Sequence, residues 1–156
     1  MSVLALSSEL KLETRCHNQI ENEINRGPIL AGMQLLSDDL KQKYPGVRHR
    51  PTTASHKYNC NGLTFASRRT VISKAAEILM ILRDDEYEEA VIANVMCGDI
   101  VVYIEKGEVE HSGIVVGSQE GVPMVLSKWG LAHEAVHRVN ECPYNSAERK
   151  YYRITS

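Results

Sequence analysis

The sequence predicts an α+β fold, with helices in the first half of the chain and an antiparallel sheet in the second. Apolar residues recur at a helical spacing up to Arg83, whereas beyond Val91 short apolar runs alternate with glycine-containing turns. The chain has 156 residues, 43% of them apolar, which is enough for one core but leaves no room for a second ordinary domain. We therefore expect one domain over residues 1–156, with a helical extension at 1–50 and a core at 55–156.

Three stretches favour helices. Residues 12–24 are polar but place Ile20 and Ile24 four apart, which suits a helix with a thin apolar stripe. Residues 29–44 repeat apolar side chains close to a helical period, and the Pro-Gly pair that follows ends the pattern. Residues 63–83 have the strongest helical period and form either one helix or two consecutive ones.

Strands are predicted where the period shortens. Residues 46–57 are rich in Pro, Thr, Ser and His and are typical of a loop, and residues 91–96 show a short, mixed pattern. Turns separate the apolar runs beyond them, and the tail is expected to add an edge strand. The predicted strands are 100–104, 111–116, 124–126 and 150–154. The expected architecture is a set of N-terminal helices packed on an antiparallel sheet of about five strands.

The composition indicates neither a nucleic-acid-binding protein nor a membrane protein. The net charge is −2 and the sequence pI is about 6.3, and the densest basic stretch, residues 48–50 with Lys57, is short enough for a solvated loop. No window approaches the ~18 apolar residues of a membrane span. The first residues lack the basic segment of a secretory signal, so we expect a cytoplasmic protein or one exported without an N-terminal signal peptide.

The four cysteines predict neither a zinc site nor a disulfide framework. No two of them form a C-x-x-C pair, and their density is below that of small disulfide-rich domains. Cys16, Cys97 and Cys142 are interpreted as small, partly buried apolar residues. No metal and no organic cofactor is expected.

Cys60 differs from the other cysteines because it stands where a loop meets a predicted helix. The first turn of a helix has unpaired N–H groups and a positive dipole end, and both favour a thiolate. The same N–H groups are suited to face a developing oxyanion. A nucleophilic cysteine needs this position, although a small buried residue at a helix start would give the same pattern.

Two stretches of the sequence, one around Cys60 and one after it, resemble the signature of a known family. Residues 58–63 read Tyr-Asn-Cys-Asn-Gly-Leu, which resembles the aromatic-Asp-Cys-Ser-Gly-Leu signature of NlpC-type peptidases, a papain-like family that includes the related CHAP type. Residues 98–103 and 111–117 resemble the second half of that signature, in which a Gly-Asp turn precedes one strand and the catalytic His opens the next. The resemblance covers about residues 58–130 and implies a papain-like fold with Cys60 as nucleophile.

The same resemblance implies that His111 is the base. It opens a strongly apolar strand, and its imidazole is expected to face the start of the Cys60 helix, take the thiol proton and protonate the leaving amine. The remaining histidines are interpreted as surface or packing residues. They are His17, His49, His56, His133 and His137.

A third group usually orients the base, and Ser127 is the first candidate. Residues 127–130, Ser-Lys-Trp-Gly, resemble the Asn-Ser-Trp-Gly of papain, where the Asn orients the His and the Trp shields their hydrogen bond. By this resemblance Ser127 would hold His111, and Trp129 would form a wall of the site. His137 and Asn140 are the alternatives to Ser127.

The Cys motif departs from the family pattern on both sides of the nucleophile. Asn59 replaces the usual Asp and Asn61 the usual Ser, so no catalytic atom is lost but the specificity is open. Together with Tyr58 these residues are expected to contact substrate. The oxyanion donor besides the Cys60 N–H is expected to be Tyr44 or Tyr58.

The expected activity is cleavage of a peptide or amide bond through a Cys60 acyl-enzyme. NlpC-type relatives mostly act on the peptides of bacterial cell walls, so a cell-wall amidase or endopeptidase is one expectation and a peptidase of other peptides or proteins another. The same Cys–His pair would also suit a transglutaminase, acyltransferase or deamidase. A catalytically idle binding domain is the alternative from a different class.

Overall fold

The computed structural model describes residues 9–50, 53–145 and 147–155. It is an α+β structure in which three short helices accompany an antiparallel sheet of seven strands. The helices are α1 Ala31–Lys43, α2 Cys60–Ala66 and α3 Ala75–Asp84, and a 3-10 turn spans Ile92–Asn94. The strands are β1 Arg48–Arg50, β2 Tyr87–Ala90, β3 Ile100–Glu105, β4 Glu108–Gln119, β5 Val122–Lys128, β6 Glu134–Arg138 and β7 Glu148–Ile154.

The strands follow the order β1-β6-β5-β4-β3-β7-β2 across the sheet. The apolar run of β3 lies near the middle and alternates between the two faces, as a strand buried on both sides must. Val101 and Tyr103 enter one core cluster, whereas Ile100 and Val102 enter another. The first cluster also contains Trp129, and the second packs against α2 and α3. The sheet therefore separates two cores, and β3 and β4 run between them.

The predicted helix at residues 12–24 is wrong. This segment is extended and bonds to distant parts of the chain, with reciprocal main-chain hydrogen bonds of 2.9 Å between Glu23 and Val71. The Oδ1 atom of Asn22 accepts from the main-chain N–H of Leu10 at 2.8 Å, and its Nδ2 atom donates to the Leu10 carbonyl at 2.9 Å. Ile20 is buried in the second core cluster, and Leu12 packs against the same cluster. A thin apolar stripe does not stabilise a helix when long-range pairing is available.

The sheet has more strands than the five expected. β1 lies inside the predicted loop 46–57, and neither β2 nor β6 was predicted, because their sequences, Tyr-Glu-Glu-Ala and Glu-Ala-Val-His-Arg, are too polar to stand out. The predicted strand at 150–154 exists as part of β7, but it is not an edge strand, since β7 lies between β3 and β2. Among the described residues no helix is both long and apolar enough to cross a membrane.

Candidate active site

Cys60 is the first residue of α2, and Asn59 fixes where that helix begins. The Oδ1 atom of Asn59 accepts hydrogen bonds from the main-chain N–H of Gly62 at 2.9 Å and from that of Ile72 at 3.2 Å. A side-chain oxygen that accepts from the first turn in this way is a typical N-cap. Cys60 is therefore held at a helix start, as the sequence predicts.

The Cys60 thiol is buried, and its surroundings favour the neutral form. Burial raises the pKa of this thiol above its usual value, although main-chain hydrogen bonds from Ser112 and Asn61 and the charge of Lys128 oppose the effect. The side chain is 7% exposed. In the free protein at neutral pH the sulfur therefore carries a proton, and an attack on substrate needs a group that removes it.

His111 is fully buried on β4, and both of its ring nitrogens lack a hydrogen-bond partner among the described residues. Its ring stacks on Tyr144, with centroids 3.9 Å apart and planes 11° from parallel, and it lies 5.1 Å from the Tyr103 ring. Burial lowers the pKa of His111 well below its usual value, and the nearby His137 lowers it further. The imidazole is therefore neutral and able to accept a proton.

The chain brings the thiol and the imidazole to the same part of β4. His111 pairs with Tyr103 and Ser112 with Val102, so the side chains of these two neighbours face opposite sides of the strand. The Cys60 thiol meets the strand at the main chain of Ser112. Tyr144 stacks on His111, and its own pKa is raised by burial and then by the nearby Cys60 sulfur. The Cys60 thiol and His111 do not share a hydrogen bond in this structure.

The expected hydrogen bond between Ser127 and His111 is absent. The Ser127 hydroxyl pairs instead with Nε2 of His137 at 2.7 Å and accepts from Nε1 of Trp129 at 3.2 Å. Neither alternative, His137 or Asn140, bonds to His111. Nδ1 of His137 is bonded to the Arg138 carbonyl at 2.7 Å, and Asn140 lies exposed in a turn. No described side chain orients His111 by hydrogen bonding, and stacking on Tyr144 holds its ring instead.

The polar groups predicted to contact substrate are largely engaged within the protein. The Tyr58 hydroxyl donates to a carboxylate oxygen of Glu134. Asn61 donates to the Ile72 carbonyl at 2.9 Å and accepts from the Ser112 hydroxyl at 2.7 Å. These contacts fasten α2 to the sheet and give the two residues a structural explanation.

Trp129 lies in the first core cluster and is 2% exposed, so it does not form an open wall. Its Nε1 donates to the Ser127 hydroxyl, its ring centroid lies 5.5 Å from that of His137, and Tyr44 packs edge-on against it at 5.3 Å. The papain resemblance implied that the Trp129 ring would shield a hydrogen bond between Ser127 and His111, whereas the histidine bonded to Ser127 is His137.

A buried charge cluster beside α2 was not predicted. The side chain of Glu134 is fully buried and accepts from Nε of Arg68 at 2.6 Å and from Nη2 at 3.0 Å. Burial alone would raise the pKa of Glu134, but hydrogen bonds from Arg68 and Tyr58 leave it below its usual value. The residues are far apart in sequence and meet only because β6, a strand that was itself missed, pairs with β5.

Lys128 is fully buried in the same region. Its Nζ donates to the Ser55 carbonyl at 2.6 Å and to the Gly130 carbonyl at 2.9 Å, and it lies 4.8 Å from the centroid of the Tyr58 ring. Burial lowers the pKa of Lys128 to about 8, against the opposing charges of Glu134 and Cys60. An ammonium in this place favours negative charge on the Cys60 sulfur.

A chain of hydrogen bonds through two histidines ties α1 to the sheet. Ser37 lies 2.5 Å from Nδ1 of His133, Nε2 of His133 lies 2.7 Å from Nδ1 of His49, and Nε2 of His49 lies 2.7 Å from the Tyr44 carbonyl. Since a carbonyl only accepts, the neutral chain has one direction, from the Ser37 hydroxyl to Tyr44. Ser37 is fully buried, so this chain joins α1 to the sheet within the interior of the protein.

The other cysteines divide by exposure. Cys16 and Cys97 are exposed, which corrects the expectation of partial burial, whereas Cys142 is buried in the first core cluster. Within residues 9–50, 53–145 and 147–155, no three His, Cys, Asp or Glu side chains are grouped so as to hold a metal ion.

Comparison with known proteins finds no similarity. No family model matches the chain, and no curated protein and no solved structure matches it. The likeness of residues 58–63, 98–103 and 111–117 to the NlpC signature is therefore carried by the motifs alone.

Proposed function

We propose that the protein is a cysteine hydrolase that cleaves peptide or amide bonds, with Cys60 as nucleophile and His111 as base. The observation that carries the proposal is a cysteine at a helix start whose thiol meets β4 at the main chain of Ser112, next to a fully buried imidazole whose two nitrogens have no partner among the described residues. A buried polar atom without a partner is costly, and such atoms are a feature of catalytic sites.

The reaction follows from these groups. The Cys60 sulfur attacks the amide carbonyl as His111 takes the thiol proton, and the resulting imidazolium gives that proton to the leaving amine. The products of this half are a free amine and a thioester on Cys60. Water then attacks the thioester while His111 removes a proton from the water. The C–S bond breaks, and the imidazolium returns that proton to the sulfur, which releases the carboxylic acid and the neutral thiol.

The electrostatics favour a charged pair only during the reaction. Burial disfavours both the thiolate and the imidazolium when each is alone, but the two charges stabilise one another once the proton has moved. The first-turn N–H groups of α2 and the ammonium of Lys128 favour the sulfur anion. A bacterial cell-wall peptide remains the proposed substrate class by the NlpC resemblance.

A transferase or deamidase is the second proposal with the same site. An amine in place of water would resolve the thioester to a new amide, and attack on a glutamine side chain would release ammonia. The rate at which iodoacetamide labels Cys60 tests this proposal as it tests the hydrolase. Analysis of the reaction products separates the two.

The primary test is the labelling rate of each cysteine by iodoacetamide. Cys142 is the matched buried control, while Cys16 and Cys97 are the exposed thiols for comparison. We expect Cys60 to react faster than Cys142 and to lose most of that advantage in His111→Ala. Equal rates for Cys60 and Cys142, or no effect of His111→Ala, would contradict the enzyme proposal and favour a binding domain.

The substrate is tested with purified peptidoglycan and with a casein digest, each followed by mass analysis of the products. New amine and carboxyl ends in the peptidoglycan support the cell-wall reading. Fragments from casein alone support a peptidase of other proteins. Loss of ammonia or a new amide in place of cleavage supports the deamidase or transferase.

A further inference from the structure

Part of the sheet face that carries α2 is left open. α2 contacts β4 and β5 on this face, whereas β1 and β6 form no comparable contact with a described helix. A depression of about 980 Å³ lies over this open part. The pairing register places Arg48, Val136 and Leu126 side by side across it, on the same face as Ile114.

The depression has an aliphatic floor and a rim with more basic than acidic side chains, since Glu141 is the one carboxylate among its described lining residues. Met124, Leu126 and Val136 are partly buried in its floor, and Val116 beside them is 40% exposed. Three arginines stand along its length. They are Arg48, Arg50 and Arg138.

These arginines are poorly neutralised by the protein. Arg48 forms no ion pair with any described carboxylate. Arg50 lies 3.7 Å from Glu134, which Arg68 already holds at 2.6 Å. Among the described carboxylates Arg138 pairs with Glu120 alone, at 3.5 Å, and that side chain is 80% exposed. Glu141 lines the depression and Glu120 lies beside it, so its three arginines still leave an excess of positive charge on this face of a chain whose net charge is −2.

The arginines are also spaced as an extended chain is spaced. Arg50 pairs with Glu134 and Arg48 with Val136, and Arg138 is two residues further along β6, so the three lie in successive rows of one sheet face. Such rows are roughly 7 Å apart, which is also the distance between alternate side chains of an extended peptide.

We propose that this face binds an extended acidic peptide segment, whose alternate carboxylates pair with Arg50, Arg48 and Arg138 and whose aliphatic parts cover Leu126 and Met124. Arginine is suited to carboxylates because its guanidinium donates two parallel hydrogen bonds. No aromatic side chain other than His137 lines the depression within the described residues, so the stacking that single-stranded nucleic acid needs has little support. The proposal goes beyond the thiol chemistry and does not depend on it.

The test is fluorescence-polarisation titration of Cys60→Ala protein, which cannot turn over a substrate. The probes are labelled peptides of about eight residues with Glu at alternate positions, with Gln at those positions, or with the same Glu residues in one block, and a thymidine oligonucleotide of similar length. We expect the alternating Glu peptide to bind most tightly, with the Gln peptide at least about tenfold weaker, and added salt to weaken binding.

The variant Arg48→Gln with Arg138→Gln is expected to weaken binding of the alternating peptide by about tenfold or more. Arg15→Gln is the matched control, because Arg15 is half exposed and pairs at 3.7 Å with Glu86 outside the depression. Equal binding of the Glu and Gln peptides, tighter binding of the Glu block or of the oligonucleotide, or no effect of the double variant would each overturn the proposal. If the double variant unfolds early in a thermal melt, the peptide series on Cys60→Ala protein decides alone.

Discussion

At the scale of single residues, Gly62 explains why the Cys60 helix fits where it does. A Cβ atom added at Gly62 would lie 1.9 Å from the Thr70 carbonyl oxygen, and main-chain atoms cannot move away as a flexible side chain can. The glycine of the Cys motif therefore lets α2 approach the segment that follows it. Asn59 and Asn61 both donate to the carbonyl of Ile72 at 2.9 Å, so this same approach also positions Cys60.

Gly62→Ala is expected to destabilise the protein by about 2 kcal/mol or more, because the overlap forces α2 away from its neighbour. Gly32→Ala is the matched control, since Gly32 is also helical and a Cβ there meets nothing within 4 Å. The control is expected to raise stability slightly, by up to about 0.5–1 kcal/mol. Urea unfolding monitored by circular dichroism measures both, and equal effects of the two substitutions would contradict the interpretation of Gly62.

The reactivity of Cys60 is also a property of one residue and its neighbours. Because burial raises its pKa, thiolate formation in the free protein requires a pH above the usual thiol range. The labelling rate of Cys60 is therefore expected to rise continuously from pH 7 to beyond about pH 9, measured by mass spectrometry. A rate that is already level at neutral pH would show a preformed thiolate and contradict the neutral pair described above.

At the scale of elements, the charge of Glu134 connects α2 to the sheet. The carboxylate lies on β6, and its partners Tyr58 and Arg68 stand just before and just after α2. Both flanks of the Cys60 helix are thus fixed to one buried side chain. On the opposite face of the sheet, the hydrogen bond between Ser37 and His133 joins α1 to the rest of the protein.

Glu134→Gln is expected to destabilise the protein by about 2–4 kcal/mol, because it leaves Arg68 and the buried Lys128 without their counter-charge. Glu120→Gln is the control, since Glu120 is 80% exposed and its pair with Arg138 is long at 3.5 Å. Chemical unfolding gives the free energies. An effect of Glu134→Gln no larger than that of the control would show that the cluster is not stabilising.

At the scale of the whole molecule, buried histidines govern the response to acid. Burial lowers the pKa of His133 and of His137 to about 4 and that of His111 well below its usual value. The unfolded chain takes up protons below about pH 6.5, whereas the folded chain resists until about pH 4. The contribution of these histidines to the free energy of unfolding is therefore complete above about pH 6.5, and it is lost as the pH falls from there to about pH 4.

The expected loss between pH 7 and pH 4 is about 3 kcal/mol for each of His133 and His137, and it levels off below their folded pKa values. Unfolding free energies measured in urea at several pH values between 7 and 4 test this. His137→Gln is expected to flatten the curve, and His17→Gln, at an exposed site, to leave it unchanged. A curve that stays flat in the unmodified protein would contradict the buried neutral state of these rings.

The sequence predicted the parts of the fold that depend on local pattern. The apolar run at Ile100 and the helical period near Ile78 gave the right elements because both bury a regular face. β6 was missed because Glu134 is buried by partners on distant segments, which no local period records.

In the candidate site, too, the sequence predicts what depends on neighbouring residues and misses what depends on distant ones. The position of Cys60 at a helix start follows from residues that adjoin it in the chain. The partner of Ser127 does not, because register and side-chain direction decide whether His111 or His137 meets its hydroxyl. Tyr144, which holds the His111 ring by stacking, gave no sequence signal at all.

The order of the strands has a consequence for self-association. The longest strand, β4 with 12 residues, lies at the centre, and the two borders are β1 with 3 residues and β2 with 4. Unpaired backbone groups at a border are templates on which other chains polymerise, and a border this short offers few of them. Arginines on one border and glutamates on the other, at Arg48, Arg50, Glu88 and Glu89, add charge at each. Concentrated solutions of this protein should therefore resist the growth of fibrils from its native state.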